Sequence, residues 1–211
     1  MKMIRFLPIV MTFAALQAFG SVAEQNREKL RQALTKMGGS VATPLVQQLD
    51  RQKDEGLSEY DKHVRETVLR NLSGRIGPLK CERKQKSLFV TVPENFREGF
   101  DELYALARAG YPPACAEAGA VMFADAVKGW MGVNERTCLA ILKKASDANV
   151  PDGKFLYAFC CYYGIGAPSN RKLAKRLLTE RDAELRAAAK KAGKSYFASS
   201  SSWANRRLGE D

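Results

Sequence analysis

Histidine occurs once in this chain, as His63, set among the charged residues Asp61, Lys62 and Arg65. A lone histidine in such company is ordinarily solvated, which excludes histidine metal pairs and histidine-based relays. A Gly-x-Ser-x-Gly elbow and a Walker loop are both missing, and no Ser-x-x-Lys stands convincingly at a helix start. The adjacent Cys160 and Cys161 lack the spacing of a tetrahedral metal site. No catalytic residue, cofactor or metal ligand is therefore assigned. Acidic residues are outnumbered by basic ones, 23 to 34, yet the basic residues spread from Arg27 to Arg207 without an aromatic-basic cluster. Specific nucleic-acid binding is not expected from that pattern. Nor is any stretch after residue 23 long and apolar enough to span a membrane.

What the chain does have begins at its first residues. Lys2 and Arg5 precede an apolar stretch, Phe6 to Leu16, broken only by Pro8 and Thr12, and no acidic residue comes before Glu24. Ser21-Val22-Ala23 then places small residues at the −3 and −1 positions of a cleavage site. This is the pattern of a secretory signal peptide over residues 1–23, too short to anchor in a bilayer. Ala18 and Gly20 are neighbouring cleavage options, and no cysteine near the cut supports a lipoprotein. The short leader reads as bacterial, so a periplasmic or secreted protein is expected. Loss of Lys2 and Arg5 lowers the net charge of +11 by two and leaves a basic chain, which suggests an acidic protein partner.

Residues 24–92 read as an N-terminal helical region with an extended connector. Leu30, Ala33, Leu34 and Met37 have helical spacing before Gly38-Gly39, and Thr43-Pro44 is expected to cap a short helix carrying Leu45, Val46 and Leu49 inward. Ser58 is expected to cap a third helix through Leu72. Ser87 to Val92 has strand character, but without an evident partner it is expected to cross the helices as a connector. Residues 93–193 alternate helix and turn, and residues 194–211 form a Ser-rich, basic tail expected to be flexible, although Trp203 could dock back.

Within 93–193 the chain repeats itself. Ala109-Gly110-Tyr111-Pro112-Pro113-Ala114 is answered by Ala148-Asn149-Val150-Pro151-Asp152-Gly153, 39 residues later. Gly132 to Ala140 is answered by Gly166 to Ala174 at an offset of 34. Periods of this size mark arrays of helix pairs that are buried only by their neighbours. The run from Ala148 to Gly153, with Leu156, Gly164-Ile165-Gly166 and Leu173-Ala174, resembles a Sel1-like repeat, a relative of the tetratricopeptide repeat. The resemblance covers roughly residues 105–185. It departs at Cys161, Asn170 and Leu173 in the later unit and at Val127, Trp130 and Arg136 in the earlier one. What the resemblance implies is a right-handed stack of helix pairs with a concave protein-binding face; with the helical region read before it, the expected fold is all-α, a short solenoid with an N-terminal helical extension. Its members are adaptors, scaffolds and secreted host-interacting proteins.

Five cysteines, Cys81, Cys115, Cys138, Cys160 and Cys161, would meet an oxidising compartment after export. Some secreted Sel1-like proteins staple each helix pair through Lys-Ala-Cys-Asp; the matching run here is Lys144-Ala145-Ser146-Asp147, so that staple is absent. Antiparallel packing of helices 135–148 and 152–163 would bring Cys138 near Cys160 or Cys161. A bridge there would close a loop of about 22 residues, worth roughly 3 kcal/mol. Cys81 with Cys115 is the remaining pairing, and buried thiols are the alternative for all five.

The function expected is that of an exported protein-binding module, an adaptor or scaffold holding a partner in the groove of residues 93–193. Tyr104, Tyr111, Phe155, Tyr157, Phe159 and Tyr162 are its candidate anchors, or else core residues. An immunity protein against an envelope toxin and a secreted effector are specific versions of that reading. An envelope enzyme acting on cell wall or β-lactams is the alternative class.

Overall fold

A computed structural model describes residues 7–51, 82–84, 87–89, 95–123 and 135–210. The described residues are helical apart from one short hairpin. The order is α1 (Leu7–Lys36), α2 (Ala42–Arg51), β1 (Glu82–Lys84), β2 (Ser87–Phe89) and α3 (Phe96–Arg108), followed by α4 (Pro112–Phe123), α5 (Glu135–Asp147), α6 (Pro151–Tyr163), α7 (Arg171–Lys191) and α8 (Trp203–Leu208). The expected helix over 58–72, His63, Cys81 and the 124–134 segment with Trp130 lie outside the described residues. Among the described residues no helix is long and apolar enough to cross a membrane.

The long helices pack in chain order: α1 on α3, α3 on α4, α4 on α5, α5 on α6 and α6 on α7. Helices α4 and α6 also touch, and the short α2 lies against both. Helix α4 is the innermost, with every residue from Ala114 to Phe123 buried. Its alanines allow neighbours to come close, and glycine completes the fit. A β-carbon on Gly153 of α6 would stand 2.4 Å from the Ala145 Cβ of α5. No rotamer change relieves that contact, because both atoms are fixed to their helices.

The sequence echo is realised as one helix ending used repeatedly. At the end of α3, Gly110 donates to the Ala107 carbonyl and Tyr111 to Leu106; at the end of α5, Asn149 donates to Ser146 and Val150 to Ala145. Gly110 and Asn149 both take positive φ, 85° and 58°. The first turns that follow match as well, with Cys115 bonded to Tyr111 and Lys154 to Val150. These are paired carbonyl-capping bonds closed by a left-handed residue, the chemistry that glycine and asparagine favour. The ends of α1 and α7 repeat it at Gly38-Gly39 and Gly193-Lys194.

Three expectations are corrected. The strand of residues 87–89 does have a partner: β1 and β2 pair antiparallel, Glu82 opposite Phe89 and Lys84 opposite Ser87. Glu82-Arg83-Lys84 is wholly charged, which hid it from a reading based on apolar alternation. Helix α1 starts at Leu7 and continues through Ser21-Val22-Ala23, without a new start at Glu24. The tail is not wholly flexible, since residues 203–208 form α8 and Trp203 is buried against the helices.

Candidate functional site

The sequence-derived anchors divide into two sets. Tyr104, Tyr111 and Tyr157 are half-buried, and Tyr104 stacks on Phe100 with ring centres 5.9 Å apart. Phe155, Phe159 and Tyr162 are buried, so they are not open anchors in this conformation. These three are covered by the chain itself.

Two short helices provide that cover. Helix α2 turns Leu45, Val46 and Leu49 inward, all buried, as their i, i+1, i+4 spacing demands. Its N-terminus is not capped by Thr43. The buried Glu117 of α4 accepts the backbone N–H groups of Val41 and Ala42 at 2.7 and 3.0 Å, and the Ser40 hydroxyl as well. Thr43 sits in the first turn and donates to Asp152 of α6 at 2.6 Å. A carboxylate from another helix thus satisfies these buried amides, which have no partner within the helix, and meets the positive end of the helix dipole.

The second cover is α8. Trp203 enters a cluster of rings on α6, with centres 4.7 Å from Phe159, 5.5 Å from Phe155, 5.7 Å from Tyr162 and 6.1 Å from Tyr163. Its indole N–H donates to the Tyr163 hydroxyl at 3.2 Å. Arg207, one turn on, places its guanidinium 4.8 Å from the Tyr162 ring centre, and Arg171 of α7 stands 5.1 Å from the same ring. The Tyr162 hydroxyl donates to Glu210 at 2.6 Å, and Arg207 pairs with that carboxylate too. These two bonds hold the Glu210 carboxyl down at about 2, while burial first and the carboxylate second push the Tyr162 phenol up. The Ala204 amide donates to Asp50 of α2 at 3.0 Å. Sequence reasoning left the Trp203 contact open. The local signal was Ser202 as an N-cap, whose side chain does accept from Asn205.

A third buried polar group, Lys154 of α6, ties down α7. It is 2% exposed, with Nζ 2.6 Å from Glu184 and 2.8 Å from Asn149 Oδ1. Nothing in its sequence neighbourhood announced an interior lysine. Of the cysteines, Cys115, Cys138, Cys160 and Cys161 are buried thiols, none in a disulfide. Cys115 donates to the Ala107 carbonyl at 3.3 Å and Cys138 to Gly119 at 3.5 Å. Burial raises the Cys160 thiol well above its usual range, with Cys138 the next contributor, and burial together with the neighbouring Cys161 pushes Tyr157 up to about 12.

Among the described residues no group of three or more His, Cys, Asp or Glu is placed to hold a metal ion. A Ser-x-x-Lys run does stand at a helix start: Ser169 and Lys172 flank the Asn170 cap of α7. Both are exposed. An open groove of about 470 Å³ lies between α1 and α3, floored by Ala105 and Leu106 with Asn26, Lys29, Gln32 and Glu102 at its rim. Comparison with family models, curated proteins and solved structures finds no match for this chain.

Proposed function

We propose that this chain is an exported protein-binding module, built as a short right-handed solenoid of Sel1-like helix pairs whose inner face receives helical segments. The observation that carries the reading is that two short helices from opposite ends of the chain are seated on the long ones: α2 on α4 and α6, and α8 on α7 and α2 with its Trp203 ring among those of α6. A surface that accepts both an aliphatic stripe and a tryptophan anchor has the chemistry of helix-in-groove recognition. The endings of α3 and α5 support the repeat architecture, since each ends and the next helix restarts through the same bonds. Exposure of Val22 to Gln25 on α1 supports export, because a protease would reach the bond after Ala23 without unpacking a core. The exposed Lys172, Arg176, Arg186 and Lys190 of α7 favour an acidic partner body.

The test is affinity capture from envelope and culture fractions with the chain from Glu24 as bait, followed by reconstitution from purified components. A one-to-one complex that persists at about 0.5 M salt, where exposed charge pairs are screened, is expected. Retention that disappears with salt, or no reconstituted complex, overturns the reading.

A further inference from the structure

We propose that the aromatic face of α6 is a binding site for a protein segment bearing a tryptophan at the start of a short helix and an arginine four residues later, with the chain's own Trp203–Leu208 as its resident occupant. This rests on the binding-module reading and names the kind of partner segment that the site takes.

The resident contact has the anatomy of an interface hot spot. One tryptophan, 2% exposed, fills a slot of four rings, and one arginine lies over Tyr162. Tryptophan and arginine are the residues that dominate interface energetics, and a guanidinium over a ring adds a directional attraction. Beside that anchor Ser202 and Ala204 are buried, each 8% exposed, and the interior ends there. Asn205 to Leu208 are only half-buried and Gly209 and Glu210 are exposed. Six residues are too few to hold a helix in water alone, so α8 owes its order to the surface beneath it. Its link to α7 runs from Ala192 to Ser202 without helix or strand, and Phe197 there is 88% exposed. The segment is thus built as a tethered ligand, which an incoming segment must displace. Tethering keeps the local concentration of the resident high and lowers the apparent affinity for any competitor.

The experiment uses the full chain with a sequence-specific protease site inserted between Phe197 and Ala198, purified folded and then cut. The probe is a fluorescein-labelled synthetic peptide of residues 201–211, read by anisotropy. The cut chain should bind it at least tenfold more tightly than the uncut chain. Replacing the tryptophan of the peptide by alanine should weaken binding by about thirtyfold or more, and replacing the arginine equivalent to Arg207 by about fivefold. Equal binding of the alanine peptide overturns the proposal. So does a cut chain that keeps its helical circular dichroism but ignores the peptide, or one that loses that signal. A fragment that hundredfold excess peptide cannot exchange overturns it too, by making the segment core. A cut chain that ignores peptide while the uncut chain runs as a dimer assigns the face to a second copy. If peptide binding fails while the reconstituted partner complex survives, this inference alone falls.

Discussion

Helices α2 and α8 touch each other and are held in place by different means. Helix α2 buries Val41, Ala42, Leu45, Val46 and Leu49, each 4% exposed or less, and anchors its N-terminus on a buried carboxylate. Helix α8 buries Trp203 and Ala204, and its remaining ties run between half-buried or exposed polar groups. The first is integrated by area, the second by a single large ring. Stability distributed over many aliphatic contacts is lost only with the fold, whereas stability concentrated in one anchor is lost with that anchor. The difference separates a strut from a ligand.

The largest effect should come from the strut. Leu45→Ala removes a fully buried side chain at the junction of α2 with α4 and α6, and should cost about 3 kcal/mol in urea unfolding. Glu117→Ala should follow at about 2 kcal/mol, because the Val41 and Ala42 amides and the Ser40 hydroxyl lose their acceptor inside the protein. Glu117→Gln keeps one oxygen and should recover part of that loss. If both alanine variants unfold at the wild-type urea midpoint, α2 is no strut and the contrast with α8 disappears.

The same pair of helices shows how far the sequence could be read. The stripe of Leu45, Val46 and Leu49 was legible, since helical periodicity reports directly which face is buried. The Ala-Gly-Tyr-Pro and Ala-Asn-Val-Pro echo was legible for a similar reason, because a local hydrogen-bond pattern demands particular residues at particular positions. Glu117 was not legible: its role depends on an amide pair about 75 residues away, and nothing local marks a glutamate as a cap for another helix. Lys154 was opaque in the same way. The aromatics of α6 were recognised as a group of anchors or core residues, but which of the two they are was not legible, since a tryptophan more than forty residues on packs over Phe155 and Phe159. Periodicity identifies a face without naming what covers it.

Trp203→Ala sharpens the comparison from the other side. A tryptophan integral to a core costs about 3–5 kcal/mol when truncated. A segment that can undock as a unit caps the loss at its own docking free energy, so about 1–2 kcal/mol is expected here. The accompanying readout is proteolysis of the 192–202 link, which should quicken by about tenfold or more while the helical signal stays at its wild-type value. A loss as large as that of Leu45→Ala, with the helical signal falling too, would place α8 among the struts.

The smallest effect is on pH. Glu210 is exposed, and its carboxyl is lowered from 4.5 to about 2 by the bond from Arg207, then that from Tyr162, with Arg171 adding a weaker attraction. A carboxyl depressed in the docked state favours docking above its undocked value, and that preference is lost as pH falls through the docked one. Docking should therefore be insensitive to pH above about 5 and loosen between about 4.5 and 2. In a Trp130→Phe background, the Trp203 emission should shift to the red across that window, and the Glu210→Gln variant should show little of the shift. Glu28 on α1 is lowered to about 2 as well, by Arg31 and Gln32. Its pairing is confined to one exposed helical turn, so it titrates in the same range without moving the indole. A red shift that survives Glu210→Gln would trace the acid sensitivity to the helices beneath, and α8 would then respond to pH only as α2 does.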